Sequence, residues 1–217
     1  MSPVEVTVID YGFGNVRSVV NALETVGLVP RISSNPDEVV RSPHLLLPGV
    51  GAFGSAMKSL VDRGLDHAIA DAVSEGSRLL GICLGMQLLL QSSEEFGLCD
   101  GLGLIKGKVK PLVPLSEVSP AKRATHIAWA TVSPEGEGNL SDWFRATGHQ
   151  YYFVHSFAAH PESEAANTTV GTATYLQKSF VAAVEDANVL GVQFHPERSG
   201  NAGLNLLAKI FDSASGN

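Results

Sequence analysis

Arg78-Leu79-Leu80-Gly81-Ile82-Cys83-Leu84-Gly85-Met86-Gln87 is the stretch whose reading decides the fold of this chain. Residues 78–82 form the apolar run of a buried strand and residues 84–90 suit a helix, so Cys83 falls on the sharp turn between them. Gly81 and Gly85 let the backbone turn tightly and leave the sulfur exposed at the top of a sheet. The arrangement has the form of a nucleophile elbow with a thiol in place of the hydroxyl. It also sets the sulfur at the positive end of a helix, which favours thiolate, the reactive form of a cysteine.

A nucleophile of this kind needs a base. Far downstream, residues 189–194 read as a second buried strand that ends in His195-Pro196-Glu197. His195 can take and return a proton, and Pro196 stiffens the chain so that Glu197 can reach back to hold the imidazole tautomer. Cys83, His195 and Glu197 are therefore a candidate catalytic triad for acyl transfer. Cys99, in Gly97-Leu98-Cys99-Asp100-Gly101, has no such context and reads as a structural or loop thiol. Two cysteines without an evident bridge fit a reducing setting.

Towards the N-terminus, residues 4–9 read as a buried strand running into Asp10-Tyr11-Gly12-Phe13-Gly14-Asn15. Asn15 can cap a helix whose apolar positions Val16, Val19, Val20, Leu23 and Val26 recur at helical spacing, with Gly27 as its stop. Residues 31–32 suit a short strand, 37–41 a helical turn, and 44–47 another buried strand that enters the loop 48–54. This alternation calls for a parallel sheet with helices on both faces. Gly12-Phe13-Gly14 is not a dinucleotide fingerprint, because Arg17 stands where a third glycine belongs. A nucleotide-binding flavodoxin-like module would need phosphate-cradling chemistry there, and two glycines do not supply it. In the loop after the third strand, Gly49, Val50 and Gly51 can turn backbone N–H groups into a site and stabilise an oxyanion.

From residue 104 the texture changes to short β-like pieces at 104–109, 126–132, 151–157, 170–175 and 180–184, with a surface loop at 133–139. No long linker intervenes, so these pieces predict an antiparallel extension or mixed sheet and not a second domain. A closing amphipathic helix is expected over residues 202–211, followed by a frayed tail from residue 212. The expectation is one α/β domain over residues 1–217, flavodoxin-like, its central sheet mostly parallel and flanked by helices.

A chain of 217 residues with 44% hydrophobic and 17% charged residues can bury a full core. The net charge of −7, with no basic stripe, argues against nucleic acid as a partner. No apolar run approaches the length of a membrane span and the N-terminus lacks the marks of a signal peptide, so a cytoplasmic location is expected. The reading calls for no metal and no cofactor.

Taken in order, Pro48-Gly49-Val50-Gly51, Gly81 to Gln87 and His195-Pro196-Glu197 resemble the class I (triad) glutamine amidotransferases across essentially the whole chain. Asp10 to Ser18, the loop 48–54 and Tyr152-Phe153-Val154-His155-Ser156 resemble in particular the glutaminase (HisH-type) subunits of imidazole glycerol phosphate synthase. The resemblance implies that Cys83 attacks the side-chain amide of L-glutamine, that Leu84 joins residues 49–51 in holding the oxyanion, and that His195 protonates the departing ammonia. It implies glutamine contacts at Gly51, Gln87, His155, Ser156 and Phe157. The partner it implies is a HisF-type (β/α)8 cyclase subunit, met through Asn15, Ser18 and Trp129 and fed with ammonia by a channel, in histidine biosynthesis. Two stretches depart from the family pattern. Thr125-His126-Ile127-Ala128-Trp129-Ala130 keeps only its histidine and tryptophan, and Phe157 stands where a tyrosine is usual. Readings that stay open are a paralogous amidotransferase subunit serving a surface-sugar pathway, a stand-alone cysteine hydrolase, and a non-catalytic binding subunit on the same fold.

Overall fold

The computed structural model describes residues 3–114, 116, 125–162 and 168–212. In chain order its elements are β1 (Glu5–Ile9), α1 (Val16–Thr25), β2 (Val29–Ser33), α2 (Pro36–Val40), β3 (His44–Leu47), α3 (Phe53–Asp62), α4 (Leu65–Ser74) and β4 (Arg78–Ile82). There follow α5 (Leu84–Leu88), β5 (Leu90–Ser93), β6 (Cys99–Asp100), β7 (Ile105–Pro111), β8 (His126–Thr131), β9 (Ser133–Pro134) and α6 (Asn139–Thr147). The chain closes with β10 (Gln150–His155), β11 (Phe157–Pro161), β12 (Thr169–Tyr175), β13 (Lys178–Asp186), β14 (Val189–Val192) and α7 (Gly200–Asp212).

The expected parallel sheet is present and carries an antiparallel half. Its order is β2-β1-β3-β4-β14-β13-β12-β9, parallel from β2 through β14 and antiparallel beyond. The strands β1, β3, β4 and β14 are apolar and almost wholly buried because helices cover both faces. On one face Val19 and Leu23 of α1 meet Leu206, Leu207 and Ile210 of α7, and on the other Leu60 of α3 packs with Ile69 of α4. Asn15 caps α1 as its sequence position predicts, its side-chain oxygen accepting the Ser18 amide at 3.3 Å.

Several expected elements change shape, each for a tertiary reason. The pieces at 104–109, 126–132 and 151–157 do not extend the main sheet. They form two small sheets, β10-β8 and β11-β7-β5-β6, while β12, β13 and β9 make the extension. The single strand expected at 151–157 breaks at Ser156, because 150–155 pairs with β8 and 157–161 pairs with β7. The helix expected over 84–90 stops at Leu88. The Leu102 and Ile105 amides take the Leu88 and Leu89 carbonyls, and Leu90 enters β5. Two of the residues expected in the surface loop 133–139 pair as β9. The closing helix begins two residues earlier than expected and includes Asp212, and the rest of the expected tail, 213–217, lies outside the described residues. No helix among the described residues is long and apolar enough to cross a membrane.

Candidate active site

The register of the parallel strands assembles the site. Leu47 lies beside Gly81 and Ile82 beside Val192, so the segments that follow β3, β4 and β14 emerge side by side at the carboxyl edge of the sheet. Those segments carry residues 48–51, Cys83 and His195. Cys83 sits on the predicted elbow with φ 54° and ψ −109°, a strained conformation for a residue with a side chain. The amide of Cys83 donates to the Val192 carbonyl at 2.8 Å, and Gln87 of the following helix donates its own to the Cys83 carbonyl at 3.2 Å. The elbow requires glycine at position 85 for a steric reason. A Cβ there would stand 1.9 Å from the Leu47 carbonyl oxygen, so α5 can dock on the sheet only without one.

His195 Nδ1 and Glu197 Oε1 are 2.8 Å apart, with both side chains nearly sealed from solvent. The carboxylate accepts, so Nδ1 carries the hydrogen and Nε2 is directed at the Cys83 sulfur, with no hydrogen-bond partner of its own. Burial pulls the imidazole's affinity for a proton down. The sulfur and the Glu197 carboxylate outweigh it and raise the pKa from 6.5 to about 10. Phe194, fully buried, stacks on Tyr151 with ring centroids 4.2 Å apart. Burial of one such ring contributes roughly 2–3 kcal/mol, which anchors the turn that delivers His195. The His195 amide also donates to Tyr152 at 2.9 Å, and Ser199 ties its hydroxyl to the His195 carbonyl at 2.6 Å.

A cavity of about 320 Å³ opens in front of the sulfur, lined among others by Val50, Gly51, Leu84, Gln87, His155, Ser156, Phe157 and His195. Eight sequence-predicted residues therefore meet Cys83 around one space. Glu197 stands behind His195, outside the lining. Gly49 lies beneath the turn. A Cβ on it would come within 2.9 Å of the Tyr11 hydroxyl, which itself donates to the Pro48 carbonyl at 2.8 Å. Gly51 holds φ +110°, as a glycine can, and Val50 is 43% exposed. Leu84 is the first residue of α5, so its amide has no acceptor within the helix. His155 is buried and kept neutral. Desolvation lowers its pKa to about 4, against the opposing hydrogen bond to the Phe157 carbonyl, and the nearby His126 and His195 lower it further.

Four lining or supporting residues are not among the site residues expected from the sequence, although Tyr11 and Thr125 lie in stretches compared with the family pattern. Glu95, the acidic residue of the lining, accepts the Phe53 amide at 2.6 Å. Thr125 shares a 2.8 Å hydrogen bond with Ser156. Tyr11 reaches the turn from the β1 loop, and Gln193 lies under the sulfur. A polar residue in a loop or at a strand end looks ordinary until its neighbours are known. Of the residues expected at a partner interface, Asn15 and Ser18 are engaged in the α1 cap. Trp129 is 51% exposed on β8, its ring tilted against Tyr152 at 5.9 Å. Cys99 is half-buried, and burial followed by the charge of Asp100 raises its pKa. No metal-binding group of His, Cys, Asp or Glu side chains occurs among the described residues.

The sequence pattern of the family "Glutamine amidotransferase class-I" matches residues 7–214. The chain belongs to that family. Within the class-I amidotransferases it is 42% identical over 207 residues to the imidazole glycerol phosphate synthase subunit HisH of Chlorobium chlorochromatii, covering 94% of this chain and 98% of that one. It is 43% identical over 209 residues to the subunit of the same name from Bacillus subtilis, covering 96% of each. Among solved structures the fold matches PurLQS from Thermotoga maritima with a TM-score of 0.74 at 21% identity, over 98% of this chain and 99% of that one. A structure described as a glutamine amidotransferase superposes with a TM-score of 0.70 at 18% identity, over 97% of this chain and 99% of that one. These two structural likenesses speak for the amidotransferase fold.

Proposed function

We propose that this chain works as the glutaminase subunit of an imidazole glycerol phosphate synthase, a single amidotransferase domain that hydrolyses L-glutamine and passes the ammonia to a HisF-type cyclase subunit. The observation that carries the proposal is that Cys83 and His195 line one cavity of about 320 Å³ while Glu197, behind His195, holds its Nδ1 at 2.8 Å. That volume is at the small end of the roughly 300–1,000 Å³ usual for ligand sites, which suits an amino acid.

Each group has a step. With the proton held on His195 Nε2 and Nδ1–H donated to Glu197, the Cys83 sulfur attacks the side-chain carbonyl carbon of glutamine and a C–S bond forms. The carbonyl oxygen takes up the charge, and the amides of Leu84, Val50 and Gly51 stabilise it. As the tetrahedral centre collapses, the C–N bond breaks and His195 gives its proton to the nitrogen, which leaves as ammonia. Water then attacks the thioester while His195 takes a proton from it, and release of glutamate restores the starting charges. Gln87, His155, Ser156 and Phe157 shape the substrate side of the cavity. The Glu95 carboxylate matches the α-ammonium group of the amino acid.

Ammonia at neutral pH is mostly the non-nucleophilic ammonium ion, so direct transfer to a partner serves the chemistry better than release. Asn15, Ser18 and Trp129 are the proposed partner contacts. The deciding experiment measures synthesis by the assembled complex with glutamine or with ammonia as nitrogen source. Cys83→Ala is expected to abolish the glutamine-dependent reaction and leave the ammonia-dependent one intact. Loss of both with assembly preserved would overturn the division of labour.

A further inference from the structure

Gln193 is fully buried directly after β14, and nothing in the mechanism above uses it. Its Nε2 lies 3.7 Å from the Cys83 sulfur, and its Oε1 accepts from Gln87 Nε2 at 2.9 Å. The same Gln87 nitrogen donates to the backbone carbonyl of Phe157 at 3.0 Å. A carbonyl can only accept, so Gln87 must turn its NH₂ group towards Phe157 and Gln193. Gln193 must then answer with its oxygen, which leaves its own NH₂ facing the sulfur. The orientation of both amides is thus dictated from the far end of the chain of bonds, by a backbone group that cannot change role.

We infer that Gln193 is a positioning residue that presents an N–H to the Cys83 sulfur, held in that orientation by Gln87 and the Phe157 carbonyl. The inference rests on the reading of Cys83 as the nucleophile. On its other side the sulfur has the Val154 carbonyl at 3.9 Å, an acceptor available only to the neutral thiol. The sulfur therefore sits between a donor that favours the thiolate and an acceptor that favours the thiol, and Gln193 supplies the donor. Because Gln87 also lines the cavity, the same bonds join the substrate side of the site to the nucleophile. The titratable groups around the sulfur are His195, from the turn after β14, and Tyr11, from the loop after β1. Glu197 acts on His195, His195 in turn lowers the pKa of His155, and Glu95 is part of the cavity lining.

The test is the pH profile of Cys83 alkylation by iodoacetamide in the full chain, with Gln193→Met to remove the donor at similar size. Gln193→Leu, which also lacks the donor and brings no charge to the sulfur, is the second variant should the first fail to fold. The acid limb of the profile is expected to move up by about one pH unit, a tenfold slower reaction at a fixed pH on that limb, with the alkaline plateau retained. The kcat/KM for glutamine should fall on that same limb and recover at higher pH. An unmoved limb in a folded variant, with activity lowered equally at all pH values, would overturn the inference and leave Gln193 a packing residue. Failure of the underlying reading is separate, since alkylation of wild-type Cys83 would then leave glutamine hydrolysis intact.

Discussion

His155 offers a test of the site's electrostatics that needs neither substrate nor partner. Its imidazole is enclosed by Phe153, Phe180 and His126, donates Nδ1–H to the Phe157 carbonyl at 2.9 Å, and stands 3.2 Å from His126 through Nε2. Burial holds its folded pKa near about 4 against an ordinary 6.5. The folded value is the lower one, so on acidification the unfolded chain binds the proton first. The contribution of His155 is complete above pH 6.5 and is lost as pH falls from there towards 4. Between pH 7 and pH 4.5 the loss amounts to about 2 kcal/mol, from 1.36 kcal/mol per pH unit across the interval in which only the unfolded state is charged. Replacement by asparagine keeps a donor near the Nδ1 position and removes the titration. Urea unfolding of wild type and His155→Asn at both pH values reads the effect, with the titration of His126, the 3.2 Å neighbour, followed by NMR in both chains so that its own change is subtracted. Wild type is expected to lose about 2 kcal/mol more than the variant over that interval. Equal losses would refute the claim that His155 is held neutral by burial.

Two further outcomes follow from the geometry. Glu197→Gln should lower glutamine turnover by roughly two to four powers of ten without abolishing it, since Glu197 orients and charges His195 but touches no reacting atom; glutamate release reads this, and wild-type turnover would remove Glu197 from the triad. Gly85→Ala should destabilise the fold by more than about 3 kcal/mol or prevent folding, because the new methyl group would collide with the Leu47 carbonyl oxygen and push α5 off β3 and β4. A thermal unfolding midpoint within a few degrees of wild type would show that the elbow has room that the described packing denies.

How much of this was legible in advance depended on how local each determinant is. The strands 44–47 and 78–82 were read at their observed ends, because continuous apolar runs bounded by turn residues describe strands covered on both faces. Helices α3, α4 and α6 were not anticipated, and the β pieces after residue 104 were assigned to one sheet although they divide among three. Period-2 patterns state that a segment is a strand and which side is buried. They do not name its neighbour.

The sequence by itself determined the elbow at Cys83, the His195-Pro196-Glu197 turn and the glycines that let backbone approach backbone, because each is specified within a few residues by local sterics and residue chemistry. Only the tertiary structure decided that Glu95 enters the cavity, that the segment around Ser156 crosses between two sheets, and that Gln193 points an amide at a sulfur 110 positions away. Those placements follow from the register between strands remote in the chain, where a shift of one residue would turn every side chain to the opposite face. That register is set by the summed packing of the two hydrophobic cores and by no single stretch of sequence.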